Sequence, residues 1–245
     1  MIAGALNSVA GGGSFITYPA LVFGGVPVIN ANTTSTIALW PGSVASVGAY
    51  RNEIAAERQG LWPLLIASLI GGTLGAFLLL QTPQNTFAKL LPFLLLLATF
   101  LFTFGKRISE SVRSTVSNAS LPPSTLRAGV IALQFVIALY GGFFGGGIGM
   151  MMLAAYSLLG MDNIHRMNGL KTVMASVING AAVVVFVLSG AIYWPQALVM
   201  VGGAIIGGYA GATYAKRLNP VRVRQFVIAV GCIMTVIFFV RTYLQ

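Results

Sequence analysis

Long apolar segments alternate with short polar ones along the whole chain. A helix needs about 20 apolar residues to cross a bilayer, and several segments reach that length. The segments next to residues 11–13 and 145–147 are shorter, as expected of half-helices or re-entrant hairpins. The pattern therefore predicts an all-α polytopic membrane protein with apolar segments at 1–10, 14–25, 34–50, 61–81, 87–105, 126–144, 148–160, 168–189, 194–215 and 221–243.

The same succession of motifs occurs twice. A triple glycine is followed about 20 residues later by a polar patch, and then by a Trp-Pro pair and a small-residue helix. We therefore divide one transport domain, residues 1–245, into repeat one (1–105), a cytoplasmic linker (106–125) and repeat two (126–245). Proline suits a first helical turn and tryptophan a membrane interface, so Trp62-Pro63 and Trp194-Pro195 are expected to open their helices.

Each glycine run is expected to break its helix, because glycine loses the most backbone entropy on folding. The backbone groups released inside a bilayer then need partners in the protein or in a water-filled cavity. A helix that restarts after such a break presents its positive N-terminal end, which favours anions. Close helix packing is the alternative use of small residues. The first candidate substrate-binding set is Gly11, Gly12, Gly13, Ser14, Gly145, Gly146 and Gly147.

The polar patches supply the second candidate set. Asn, Thr and Ser are favoured helix N-caps, so a plain cap is one interpretation, and a contact with substrate is the other. In register, Asn32 matches Asn168, and Lys171 takes the place of Ser35. Lys171 either extends to lipid headgroups or neutralises an anion. The candidates are Asn32, Thr33, Thr34, Ser35, Asn168, Lys171 and, two turns further on, Asn179, whose face corresponds to that of Ser43 and Ser46.

The basic residues concentrate in short loops, as the positive-inside rule requires of cytoplasmic loops. Two loops, 106–125 and 216–224, are strongly basic and are placed inside, whereas the uncharged loop 189–193 is placed outside. Counting crossings puts 51–60 and 161–167 inside, and 26–31 and 82–88 outside, with Lys89 an exception. Corresponding loops then lie on opposite sides. The two repeats are therefore predicted to have inverted topology, an arrangement that supports alternating access.

The composition excludes several classes of function. The chain has 245 residues, of which 57% are hydrophobic and 7% charged. Its net charge of +10 is explained by basic loops that orient the protein in the membrane and contact lipid headgroups, and it does not indicate nucleic-acid binding. The four carboxylates fall in predicted loops. Cation carriers usually place carboxylates in their spans, so a cation substrate is disfavoured. There is no metal-ligand, nucleophile or phosphate-loop motif. We expect neither catalytic residues nor a cofactor or bound metal.

These residues resemble the TauE/SafE family of membrane anion permeases, also called the sulfite exporter family. The resemblance covers essentially residues 1–245. It rests on AGALNSVAGGGSFITYPAL, ANTTSTIALWPGSVASVGAYRNE, YGGFFGGGIGMMMLAAYSLLGMDNIHRMNGLK and GAIYWPQALVMVGGAIIGGYAGATYAKRLNP. It implies a multi-pass protein of the cell inner membrane that moves small sulfur-containing or organic anions, often outward.

We therefore expect a secondary transporter that exports a small anion such as sulfite or an organosulfonate. Its expected partners are the anion and the lipid bilayer, with homo-oligomer formation left open. One alternative is a permease for another small anion or a neutral solute. Another is a non-transporting membrane subunit, which would not need paired helix breaks next to polar patches.

Overall fold

The computed structural model describes residues 1–10, 12–49, 51, 58–118, 122–158, 161, 163–215 and 220–244. Within these ranges the chain is helical and contains no strand. In chain order the helices are α1 Ile2–Ala10, α2 Ser14–Phe23, α3 Val28–Ala49, α4 Arg58–Gln81, α5 Gln84–Asn118, α6 Pro123–Phe143, α7 Ile148–Leu158, α8 Ile164–Leu188, α9 Trp194–Ala215 and α10 Pro220–Tyr243.

Five of these helices contain segments long and apolar enough to cross a membrane: 61–81, 84–105, 124–143, 166–188 and 225–243. Large apolar side chains cover the outside of the bundle. On α9, for example, Leu198 and Val199 are 65% and 78% exposed. Water would penalise such a surface, whereas lipid tails accommodate it. The predicted all-α polytopic membrane fold is confirmed.

Both predicted helix breaks are present. The first separates α1 from α2, and the second separates α6 from α7. At the second break, Gly145 and Gly147 have φ angles of 83° and 81°. A side chain with a Cβ is disfavoured in this left-handed region, so glycine allows the chain to leave one helix and start the next. The short helices α2 and α7 are the half-helices that the glycine runs predict.

Helices of each half pack on helices of the other half, and counterpart helices make counterpart contacts. Helix α1 packs on α9 of the second half, and its counterpart α6 packs on α4 of the first. Helices α3 and α8, which are counterparts, pack on each other. There the Trp40 indole donates a hydrogen bond to the Ser176 carbonyl at 3.0 Å. Trp40 and Ser176 occupy equivalent positions, and contact between equivalent residues is expected at a two-fold relation.

Three loops gather at one end of the bundle. Asn30 at the start of α3 accepts a hydrogen bond from Gln84 and donates one to the Ala191 carbonyl, at 3.1 and 3.0 Å. Thr33 also donates to that carbonyl, at 2.7 Å. The start of α3 thus meets the residues that follow α8, so these two counterpart helices run antiparallel. The grouping of loops 26–31, 82–88 and 189–193 agrees with their predicted common side.

Several predicted boundaries differ from the structure. Helix α3 begins at Val28 and α8 at Ile164, so both polar patches lie inside helices and are not N-caps. Trp194-Pro195 opens α9 as predicted, but Trp62-Pro63 lies within α4, which begins at Arg58. Helix α5 continues to Asn118, through most of the segment assigned as linker. The repeat boundaries, the membrane side of the linker and the inversion of whole halves stay predictions.

Candidate functional site

A cavity of about 180 Å³ lies between the two halves, and we call it the central cavity. It is large enough for several water molecules or a small anion. Helices α3 and α8 form two of its walls, and both helix breaks contribute to it. Its lining is Asn7, Ser14, Asn32, Ser35, Thr36, Leu39, Ser43, Ser46, Phe102, Phe144, Gly145, Ile148, Gly149, Met150, Asn168, Lys171, Thr172, Ala175 and Asn179.

Equivalent positions of the two halves line the central cavity. On α3 the lining residues recur at intervals of three or four, which places them on one face of the helix. The same spacing recurs on α8. The equivalent pairs are Asn32 and Asn168, Ser35 and Lys171, Thr36 and Thr172, Leu39 and Ala175, and Ser43 and Asn179. The duplicated sequence therefore forms one shared site from two similar polar faces.

Lys171 is the cationic side chain of this lining. Its Nζ donates a hydrogen bond to Asn168 Oδ1 at 3.0 Å, one turn earlier on α8. The side chain is half-buried, and its stem passes over Gly149, where an added Cβ would lie 3.2 Å from Lys171 Cδ. The described residues contribute no carboxylate to the cavity lining. The glycine thus leaves room for the lysine stem, and the ammonium faces the cavity without a counter-charge from the lining.

Two half-helices begin at the central cavity. Ser14 is the first residue of α2, and Ile148, Gly149 and Met150 form the first turn of α7. The Phe15 and Ile16 N–H groups bond to the Gly12 and Gly13 carbonyls, and the Met150 N–H bonds to the Gly147 carbonyl, so these groups are not free donors. Each start still presents the positive end of its helix dipole. Both starts therefore add positive potential to the cavity that contains Lys171.

Two of the predicted polar residues bind protein groups at the cavity wall. Asn32 donates its side-chain amide to the Phe143 carbonyl at 3.1 Å. That carbonyl ends α6, where the break removes its helical partner, so Asn32 satisfies a backbone group released in the membrane. Ser35 shares a 2.6 Å hydrogen bond with Thr17 of α2. Asn32 and Ser35 thus fix α3 to elements at both breaks.

Seven of the fourteen predicted site residues line the central cavity: Ser14, Asn32, Ser35, Gly145, Asn168, Lys171 and Asn179. Thr33 and Thr34 do not. They bind the 189–193 loop, where Thr34 accepts a hydrogen bond from the Tyr193 N–H at 3.0 Å.

The other predicted glycines that the structure describes are not among the cavity-lining residues. Gly12 packs against Val227, and Gly13 lies against the Ala3 carbonyl and Asn7. Gly146 lies against Phe144, and Gly147 lies against Ala98. Gly11 lies outside the described residues. At these positions close packing or chain reversal accounts for the glycine.

Asn7 is a cavity residue that the sequence analysis missed. Its amide donates to Ser43 at 3.3 Å, linking α1 to the polar face of α3. An amide within the apolar segment 1–10 is costly unless it has a partner, and this signal could have identified it. Among the described residues no cluster of three or more His, Cys, Asp or Glu is placed to hold a metal ion.

A family model described as "Sulfite exporter TauE/SafE" matches residues 1–238. This chain belongs to the TauE/SafE family. It is similar to a probable membrane transporter protein of Haemophilus influenzae, 30% identical over 235 residues, which cover 96% of this chain and 89% of that protein. This TauE/SafE protein is a multi-pass membrane transporter.

More distant relatives have similar descriptions. The probable membrane transporter protein YfcA of Escherichia coli strain K12 is 24% identical over 237 residues, which cover 96% of this chain and 85% of that protein. YunE of Bacillus subtilis, also described as a probable membrane transporter protein, is 25% identical over 95% of this chain and 93% of its own length. No solved structure matches this TauE/SafE chain.

Proposed function

We propose that this protein is a secondary transporter that exports a small anion, such as sulfite or an organosulfonate, across the cell inner membrane. The observation that carries the proposal is Lys171. Its ammonium lies in a polar cavity between the two halves, and the described lining supplies no carboxylate to neutralise it. A half-buried cation surrounded by amides and hydroxyls favours a negatively charged occupant.

The rest of the lining suits a small oxyanion. Asn7 and Asn179 provide amides, and Ser14 provides a hydroxyl, that can donate to oxyanion oxygens. The Ser43 and Ser46 hydroxyls donate to the Leu39 and Gly42 carbonyls, so they add polarity to the wall rather than free donors. The starts of α2 and α7 add the positive ends of their helix dipoles. Hydrogen bonds to a charged partner are stronger than those between neutral groups, so these donors favour an oxyanion over a neutral solute.

Transport further requires that the cavity open to each side of the membrane in turn. Equivalent faces of antiparallel α3 and α8 support two halves of inverted topology, which can rock about a shared site. The start of α3 is bound to the 189–193 loop, next to the cavity residues Asn32 and Ser35. We assign these contacts to the barrier on the predicted outer side, which must open for the anion to leave.

Sulfite binding to purified protein tests the proposal directly. Binding of labelled sulfite to wild-type protein in nanodiscs is measured with thiosulfate, sulfate, sulfoacetate and taurine as competitors, and exchange is measured in proteoliposomes. We expect saturable binding that is weakened about tenfold or more in Lys171→Gln and kept in Arg127→Gln, since Arg127 is an exposed cation on α6 that is not in the cavity lining.

The alternatives give different results in the same assays. A neutral-solute permease would bind taurine, or none of the anions, and would not depend on the charge of Lys171. A non-transporting membrane subunit would show no exchange in proteoliposomes with any compound of the panel. Either result would contradict the proposed anion transport.

A further inference from the structure

A second, larger opening of about 530 Å³ lies at the end of the bundle where the three loops gather. We call it the loop-end groove. It is bounded by the turn between α2 and α3, the start of α5 and the end of α10. Its lining is Val22, Gly25, Val26, Pro27, Val28, Asn85, Ala88, Lys89, Leu91, Phe238, Arg241 and Thr242.

The charge of the loop-end groove resembles that of the central cavity. Lys89 and Arg241 are both exposed cations, and the described lining contains no carboxylate. The Arg241 guanidinium lies 5.9 Å from the centre of the Phe23 ring, a cation–π distance that holds it at the groove. The groove lies on the predicted outer side, where the positive-inside rule gives no reason for basic residues. Topology therefore does not account for these two charges.

Aromatic rings connect the loop-end groove to the central cavity. Phe238 lines the groove and lies 5.9 Å from Tyr18, between ring centroids. Tyr18 in turn lies 6.3 Å from Phe144, which lines the central cavity. All three side chains are buried. Two cationic compartments are thus separated by three contiguous rings, with Tyr18 in the middle.

Tyr18 also has an unusual polar group. Three buried side-chain oxygens lack a hydrogen-bond partner among the described residues, and two of them are the phenols of Tyr18 and Tyr140. Both tyrosines are in ring contact with Phe144. A buried hydroxyl without a partner costs about 1–3 kcal/mol, and such groups are rare in folded proteins. Phenylalanine would fill the same space without that cost, so packing alone does not explain the hydroxyls.

We propose that the loop-end groove is a second binding site for the transported anion, and that Phe144, Tyr18 and Phe238 form the barrier between this site and Lys171. When the rings separate, the phenols of Tyr18 and Tyr140 donate hydrogen bonds to the passing anion. Lys89 and Arg241 hold the anion at the far end. This inference rests on the proposed anion transport and adds the outer half of its path.

The phenols are tested by exchange of labelled sulfite in proteoliposomes, combined with equilibrium binding. Tyr18→Phe removes a hydroxyl without a partner, so we expect the protein to stay folded and to bind sulfite as wild type does. We expect exchange to slow about tenfold, the effect of losing a hydrogen bond to a charged group. Tyr156→Phe is the matched control, because its buried phenol bonds to Gln134 at 3.3 Å and lines neither the central cavity nor the loop-end groove.

The groove is tested without relying on transport. In a Cys232→Ser background, Thr242→Cys is labelled with an anionic and a cationic methanethiosulfonate reagent. We expect the anionic reagent to react faster, and replacing Lys89 and Arg241 together with Gln to reduce that preference about fivefold or more, since local potential sets the encounter rate. The same double variant should slow sulfite exchange while leaving Lys171-dependent binding unchanged.

The outcomes separate this inference from the proposed function. Lys171-dependent exchange that is unaffected by Tyr18→Phe and by the double variant would overturn the inference and leave the proposed function standing. If the wild-type protein shows no sulfite exchange, or if Lys171→Gln exchanges sulfite as fast as wild type, both the inference and the proposed function are overturned. The assays are run with and without phosphatidylglycerol in the bilayer. Charge effects that occur only with this anionic lipid would assign the groove to a lipid headgroup and overturn the inference.

Discussion

Replacing Lys171 by Gln is the perturbation whose effect follows most directly from the structure. It removes one positive charge from the central cavity and keeps a side chain of similar polarity. A unit charge 4 Å from an anion contributes about 4 kcal/mol at an effective dielectric constant of 20. Desolvation of both groups offsets part of this, which leaves about 1.5–3 kcal/mol for a charged hydrogen bond. Sulfite affinity should therefore fall by about tenfold to 150-fold.

Two further variants separate charge from geometry. Lys171→Arg keeps the charge but presents a planar fork in a compact site, and we expect it to restore only part of the affinity. Asn168→Ala removes the oxygen that binds the ammonium at 3.0 Å, so it should weaken binding less than Lys171→Gln does. Each dissociation constant is measured by equilibrium binding of labelled sulfite in nanodiscs, with melting temperatures recorded to confirm folding.

The control is Arg127→Gln, which removes an exposed charge away from the cavity lining and should leave affinity within about twofold, as expected of a screened surface charge. If Lys171→Gln binds sulfite as tightly as wild type, the lysine extends to lipid headgroups and the helix starts bind the anion alone. If both variants lose affinity equally, overall charge rather than the cavity determines binding. Either result would refute the reasoning.

Two other predictions concern packing and topology. Gly142→Ala should lower stability by about 1–3 kcal/mol, because the added Cβ would clash with the Gly72 carbonyl oxygen of α4. Gly129→Ala on the same helix has open space and should be neutral or stabilising, and melting temperatures in detergent compare the two. In a Cys232→Ser background, a cysteine at Ser189 should react with an impermeant thiol reagent from outside, and one at Ser114 only from inside; equal labelling would contradict the predicted topology.

The elements that the sequence predicted well are those that depend on local chemistry. The breaks follow from the conformational freedom of glycine, and the spans follow from their length and hydropathy. The end of α5 was missed because a polar composition does not stop a helix. The segment after Gly105 contains no glycine or proline before Pro122, so the helix continues to Asn118.

The site was predicted in part, because the role of a polar residue in a membrane helix depends on its neighbours. Register pairs Ser35 with Lys171, and both residues line the central cavity. It could not show that Thr33 and Thr34, beside Ser35, turn toward the 189–193 loop. Helical rotation separates adjacent residues by about 100°, and only the position of the neighbouring helices determines which of them reaches the cavity.

The length of α5 has a practical consequence for imaging. A 25.7 kDa chain that lies mostly within a micelle offers few features for particle alignment. The membrane-spanning segment of α5 ends near Gly105, and the same helix continues without interruption to Asn118, about 20 Å further at 1.5 Å per residue. A rigid helical partner fused in phase with this extension would keep a fixed orientation relative to the membrane-spanning segment of α5. Such a fusion provides an alignment marker that leaves the central cavity and the loop-end groove untouched.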